Sequence, residues 1–366
     1  MKKTIKTAFL AFAILALSLS CATFTKLLTS TTTTSTPSPV PLFPIFKDGR
    51  AGYIDTSGNA VIQFQFDGAG PFSEGLASVE LNKQWGYVNA KGETVIKPAF
   101  DEADDFHGGR ARVKVNKKYG FIDSTGKVVI SPDFDDAADF SEGAAKVLKC
   151  TDKKTCMWIT WNFSWGTISY PTGGEQSFID QDGTTLMAKE YDVVNSLHQG
   201  LAAVEVGKQW GYIDKTGTLI IQPKFDSASD FSEDLAAVKI GDQWGYIDKT
   251  GSLIIQTQFD VGNDFSQGLA AIKKNNKYGY INAKGAIVVQ PQFDDISDFS
   301  EGLAAVKVGA QWGYIDKTGT LVIQPGFYSA GDFSQGMAPV WIKDQSGAVL
   351  KGYINNQGKY IWEPSK

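Results

Sequence analysis

Polar and apolar positions along this chain fall into one pattern that is written nine times. In the clearest copy, Leu201-Ala-Ala-Val-Glu-Val206 is a short apolar run that reaches a two-residue turn, Gly207-Lys208. Trp210-Gly-Tyr-Ile-Asp214 follows, then the turn Lys215-Thr216-Gly217, then Thr218-Leu-Ile-Ile-Gln222, stopped by Pro223. Short runs rich in β-branched and aromatic residues, bounded by Gly, Asn, Asp and Pro, predict strands joined as hairpins. The first turn carries Gly or Asn in every clear copy, the residue types that tolerate the positive φ of a tight hairpin turn. The second is Asp-x-x-Gly, as in Asp123…Gly126 and Asp248…Gly251. There the Asp side chain can accept from the backbone two residues on, while the Gly takes the left-handed position. Each unit therefore reads as a three-stranded antiparallel meander. The rest of the unit, Lys224 to Asp234, keeps two Phe six residues apart, and these rings complete the expected core.

The copies are anchored by an aromatic-Gly pair at Trp85-Gly86, Tyr119-Gly120, Trp210-Gly211, Trp244-Gly245, Tyr278-Gly279 and Trp312-Gly313. Degenerate copies begin at Ala51-Gly52, Gln176-Ser177 and Lys351-Gly352. The step between neighbours is 34 residues, with 23 extra after the third copy and 5 extra after the eighth. A period of this length marks an array whose units bury their apolar faces only against one another. Small residues in the first strand, Ala236-Ala237 and Ala304-Ala305, suit close approach of successive layers. A propeller blade ordinarily has four strands in about 40 residues. Three clear strands in a shorter unit, an incomplete last copy and the insertions favour an open β-solenoid or superhelix over residues 46–364. A closed β-propeller is the alternative.

Trp-Gly-Tyr-Ile-Asp-Lys-Thr-Gly, followed by Ile-Gln-Pro-x-Phe-Asp and Asp-Phe-Ser-Glu-Gly-Leu-Ala, resembles the WG-repeat (KWG-repeat) family of bacterial proteins. The resemblance spans about Phe46 to Pro364 and implies a β-rich binding or structural module. It brings no catalytic residues with it.

Ahead of the array, Lys2, Lys3 and Lys6 precede an apolar run from Ala8 to Leu19. That is the layout of a signal peptide over residues 1–20, its apolar stretch too short to span a bilayer comfortably. The sequence Ser18-Leu19-Ser20-Cys21 resembles a bacterial lipoprotein signal, with Cys21 as the lipidated residue; an ordinary secretory cut near Ala22 is the alternative. Residues 21–45, rich in Thr, Ser and Pro, form an expected tether, because such a segment buries too little apolar area to offset its ordering entropy. The expected location is outside the cytoplasm, either lipid-anchored at the cell envelope or secreted. In an oxidising compartment Cys150 and Cys156 are an expected disulfide, with free buried thiols as the alternative. A formal net charge of −5 argues against a nucleic-acid partner, which calls for a basic face.

Three constellations remain. Asp101, Asp135, Asp226, Asp260 and Asp294 follow the first Phe of their units, and Asp105, Asp139, Asp230, Asp264, Asp298 and Asp332 precede the second. Calcium-binding loops concentrate oxygens in one short segment. Two Asp four apart suit turn capping better, and no metal site is expected. His107 and His198 both take the place of Ser in Phe-Ser-Glu-Gly and read as tolerant surface positions. Within the insertion at 149–171, three of the nine Trp fall inside eight residues. Ile159, Trp161, Phe163 and Trp165 alternate with polar residues, giving one aromatic face to a strand. Trp158, Trp161, Phe163 and Trp165 are the candidate binding residues, as a platform for a glycan ring or a protein. The same rings also suit a hairpin that patches the degenerate fourth copy. No catalytic motif, catalytic residue or cofactor is recognised. The expected function is a non-enzymatic scaffold for protein or cell-envelope polysaccharide partners; the alternatives are an enzyme or enzyme inhibitor using the aromatic insertion, or a structural spacer.

Overall fold

The computed structural model describes residues 40–150, 174–187 and 191–365 in full, and residues 157–163 and 166–172 by backbone alone. The expected leader, with Cys21, and most of the expected tether lie outside these residues.

Each Trp-Gly-Tyr run pairs on one side with the apolar run before it and on the other with the run after it. Gln209–Ile213, for example, joins Ala202–Val206 to Leu219–Phe225. The three predicted strands are present. A fourth is supplied by the segment between the two Phe of the preceding unit, here Val193–Val194 against Ala202–Val206. Seven sheets have four strands in simple sequential order, as in Gly68–Ser73, Leu76–Leu81, Gln84–Asn89 and Thr94–Phe100. The expected stack of three-stranded units is thus corrected to a nine-bladed β-propeller, the alternative architecture. Blades are numbered along the chain. Blade 1 comprises Phe43–Lys47, Arg50–Ile54 and Ala60–Phe66; blade 2 is the four-stranded sheet just given; blade 9 ends with Tyr360–Ser365.

Two local rules explain the repeated residues. The Gly of each aromatic-Gly pair lies opposite a bulge in the fourth strand, and a Cβ on Gly245 would sit 2.5 Å from the Ile255 carbonyl oxygen. Pro223 does not stop its strand: Leu219–Phe225 runs through it. This outermost strand is a sheet edge, where a missing N–H removes no ladder bond. In blade 4 the same strand gives way to an isolated bridge, Ile179↔Thr185. Ser177 therefore fits where Gly stands elsewhere, and its Oγ donates to the Met187 carbonyl.

Blades are clamped to their neighbours through the inner strands. Tyr212 of blade 5 packs on Phe231 of blade 6, ring centroids 4.8 Å apart, and donates its hydroxyl to the Ser229 carbonyl. The same clamp joins Tyr53 to Phe72, Tyr87 to Phe106, Tyr246 to Phe265, Tyr280 to Phe299 and Tyr314 to Phe333. Such aromatic pairs contribute roughly 0.5–1.5 kcal/mol beyond the area they bury. The Phe-Ser-Glu-Gly turn extends the clamp. Ser300 Oγ donates to the Phe333 carbonyl, and the Glu301 carboxylate accepts from Gln335 and Gly336 backbone N–H. Ala203, Ala237 and Ala305 lie fully buried between blades, where small side chains admit close packing.

The last blade meets the first. Phe43, Ile45 and Ile54 share a buried cluster with Met337 and Tyr353. Tyr353 donates to the Pro44 carbonyl at 3.0 Å, and the Phe64 and Trp362 rings stand 5.9 Å apart. Residues 43–45, read from sequence as the end of the tether, belong to the strand Phe43–Lys47 and take part in this closure.

Candidate functional site

The Asp that precedes the second Phe of each unit lies on or just after the innermost strand, and packing of adjacent blades brings these carboxylates into one another's fields. Burial, followed by Asp230 and Asp298, pushes Asp264 up to about 6. Asp139 and Asp264 each keep one buried carboxylate oxygen without a hydrogen-bond partner among the described residues. Several of the other Asp, after the first aromatic of their units, cap the turn between the second and third strands. Asp67, Asp192, Asp226 and Asp294 accept from the N–H of Asn82, Gly207, Gly241 and Gly309. Among the described residues, no group of His, Cys, Asp and Glu converges closely enough to hold a metal ion.

Repetition supplies an internal standard against which unusual positions stand out. The residue of the second strand that pairs with the Tyr or Phe of the third faces the next blade and is Ala203, Ala237, Ala271 and Ala305 in blades 5 to 8. In blades 2, 3 and 4 it is Ser78, Arg112 and Lys146. Arg112 Nε donates to Asp104 Oδ2 at 2.7 Å and lies 3.9 Å from Asp139 Oδ1, while its Nη1 donates to the Ala137 carbonyl. Burial works against the guanidinium's charge, but Asp104 and Asp139 outweigh it and hold the group protonated. Burial pushes Lys146 down, opposed by Asp136 and Asp230. Burial also raises the Asp105 and Asp139 carboxyls above the usual carboxylate range, with His107 opposing in both. A polar, charged sector thus replaces the alanine layer over three consecutive blades. Ser78, Arg112 and Lys146 escaped the sequence reading because each is an ordinary residue on an alternating strand. The signal that finds them is the comparison of one copy with the next.

The sequence-predicted aromatic residues lie on a separate feature. Met157–Phe163 pairs with Gly166–Thr172 as a two-stranded antiparallel sheet, inserted between the second and third strands of blade 4. Its register sets Trp158 against Pro171, Trp161 against Ile168 and Phe163 against Gly166. Trp165 lies outside the described residues, as does Cys156. Cys150 directly follows blade 4's second strand, is disulfide-bonded, and gives its N–H to Asp135 Oδ2. The two histidines occupy equivalent turn positions. His198 Nε2 lies 3.4 Å from Asp230 Oδ2, and the exposed His107 ends the first strand of blade 3.

A family model for the WG-containing repeat matches residues 52–85, 85–119, 119–149, 177–210, 210–244, 244–278, 278–311 and 312–341. No curated protein matches the chain. Among solved structures, it is similar to a crystal structure of the eukaryotic initiation factor, with a TM-score of 0.58 and 10% identity. That match covers 89% of this chain and 96% of the other. At this identity the likeness shows the fold alone. A looser similarity, TM-score 0.42 at 12% identity, is to the dihydro-heme d1 dehydrogenase NirN in complex with DHE. It covers 90% of this chain and 75% of that one, and carries no argument.

Proposed function

This chain belongs to the family of WG-containing repeat proteins, and from that premise we propose that it is a non-enzymatic binding scaffold whose recognition surface is the polar sector of blades 2 to 4. The observation that carries this reading is the replacement of buried alanines by Ser78, Arg112 and Lys146 in three consecutive blades. Within a self-similar ring, alanine is the residue that packing favours there. Polar groups at such positions bring a desolvation penalty of roughly 1–3 kcal/mol each wherever they are left unpaired. A ring serving only as a spacer gains nothing from them.

A hairpin is also inserted in blade 4, between the strand that carries Lys146 and the one that pairs with it. Together with the leader and tether, it supports a scaffold held outside the cytoplasm, lipid-anchored through Cys21 or secreted, that meets protein or cell-envelope polysaccharide partners. The reading is tested by applying the purified chain to arrays of envelope polysaccharides and to envelope protein extracts. Binding is expected to fall on joint replacement of Arg112→Ala and Lys146→Ala, and to survive Lys215→Ala on an exposed turn of blade 5. Equal binding by all three chains would place recognition elsewhere.

A further inference from the structure

Blade 2 departs from the repeat at a second place that faces the first. The two residues before the inner Phe are Ser229-Asp230 in blade 6, Asn263-Asp264 in blade 7 and Ser297-Asp298 in blade 8. In blade 2 they are Gly70-Pro71, so the polar side chain and the carboxylate are both missing. A cleft of about 260 Å³ opens there, lined by Gly70, Pro71, Ser78, Trp85, Asp105 and Asp139 among others. A Cβ built on Gly70 would stand 2.4 Å from Ser78 Oγ and 3.3 Å from Asp105 Oδ1. The glycine therefore leaves a cradle between two acceptor oxygens. Blade 9 also has glycine at this position, Gly331, but there Pro339 stands against it and fills the space.

Ser78 is the second, independent sign. It is only 3% exposed, the one buried polar or charged residue among those described, and its Oγ makes no hydrogen bond with any described residue. That hydroxyl lines the cleft. A hydroxyl held in this way, where alanine packs in four other blades, opens onto the cleft and is free to bond what enters it. The charge around it is negative. Asp104 is taken by Arg112, whereas Asp105 forms no ion pair among the described residues, and Asp139 has Arg112 only at 3.9 Å. These carboxylates do not converge closely enough to hold a metal ion. The Trp85 ring forms one wall, and an indole face attracts a cation.

We propose that this cleft between blades 2 and 3 binds an organic cation through a primary ammonium group, whose donors reach Ser78 Oγ and the Asp105 carboxylate while its alkyl stem lies against Trp85. An ammonium offers three donors and no acceptor, which fits a hydroxyl and an Asp105 carboxylate that forms no ion pair among the described residues. Burial already raises Asp105 and Asp139 above the usual carboxylate range. An entering cation relieves that strain on their charged forms. The volume suits a small amine or a single lysine side chain rather than a larger ligand.

This inference deepens the reading of the polar sector and rests on it only for location. The test is calorimetric titration of the full chain at low ionic strength with two probes, putrescine as a free diamine and Nα-acetyl-lysine amide as a protein-like one. Saturable binding of either probe is expected, the tighter of the two naming the source of the ammonium. Gly70→Ser combined with Ser78→Ala recreates the Ser229/Ala237 pairing of blade 6, so this variant should fold and melt like the parent. It should nevertheless bind at least about tenfold more weakly, because it fills the cradle at Gly70 and removes the Ser78 hydroxyl, and so should Asp105→Asn, which removes the charge that faces the ammonium. No heat from either probe up to about 5 mM, an affinity too weak to matter, would overturn the proposal, as would undiminished binding by the double variant. Partner capture that still depends on Arg112 and Lys146 would then leave the broader scaffold reading standing.

Discussion

At the residue scale, glycine acts in this chain in two distinct ways, and a melt separates them. Gly245 and Gly279 have no room for a Cβ, which would sit 2.5 Å and 2.4 Å from the carbonyls of Ile255 and Val289. Gly207 stands in open space but at φ +57, so a side chain there meets backbone strain alone. Strain of that kind amounts to roughly 1–3 kcal/mol, whereas a backbone collision in the bulge displaces two strands. Gly245→Val and Gly279→Val should therefore lower the melting temperature more than Gly207→Val, and equal losses would show that the aromatic-Gly pair has no special packing role. Asp264 offers a test of the inner carboxylates. Its folded pKa is raised to about 6 by burial and then by Asp230 and Asp298. The native state thus holds a proton that the unfolded chain has already released. Stability from this group is present at acid pH and lost as pH rises through about 6. Urea unfolding across that window should show Asp264→Asn with a flatter pH dependence and more stability than the parent at neutral pH. A parallel decline in both proteins would refute this.

At the level of single elements, the hairpin of blade 4 poses the sharpest question. Its strands, Met157–Phe163 and Gly166–Thr172, pair only with each other. An isolated two-stranded sheet contributes little stability in water. Replacing residues 151–173 by Asn-Gly, a sequence suited to a tight turn, should leave the melting temperature within a few degrees of the parent; a steep fall would make the insertion part of the blade's core. Strand existence and turn chemistry were legible in the sequence because both are local. The two-residue turns do carry positive φ at Asn82-Lys83, Asn116-Lys117 and Gly207-Lys208, and each Asp-x-x-Gly turn is closed by its Asp. The fourth strand was illegible for a physical reason. In five blades its ladder is two residues long, such as Ser227–Ala228, too short for any alternation to register. Its identity lies instead in the two Phe, which come from adjacent blades and meet in one interface. Phe225 packs in the outer strand of blade 5, and Phe231 under Tyr212 from the blade that follows. The polar sector was hidden for the same reason: Arg112 is unremarkable on its strand, and only packing against the next blade sets it near Asp139.

For the whole molecule, the decisive contact joins residues 309 positions apart, the Tyr353 hydroxyl and the Pro44 carbonyl. No periodicity reports it, because an open stack and a closed ring repeat identical local interfaces. Closure changes how stability is distributed. In an open array the terminal units have one neighbour each and fray first; in a ring no unit is terminal. Hydrogen exchange reads this directly, since protection tracks the free energy of local opening. Amides of Phe43–Ile54 in blade 1 and of Val349–Asn355 in blade 9 should be protected as well as those of blade 6. Tyr353→Ala removes a ring from the closing cluster, a loss of about 3–5 kcal/mol for a buried aromatic, and should speed exchange in blades 1 and 9 together. The equivalent change in mid-array, Tyr246→Ala, should open blades 6 and 7 instead. If Phe43–Ile54 exchanges rapidly in the parent protein, or does not respond to a substitution at the far end of the chain, the ring is not closed in solution.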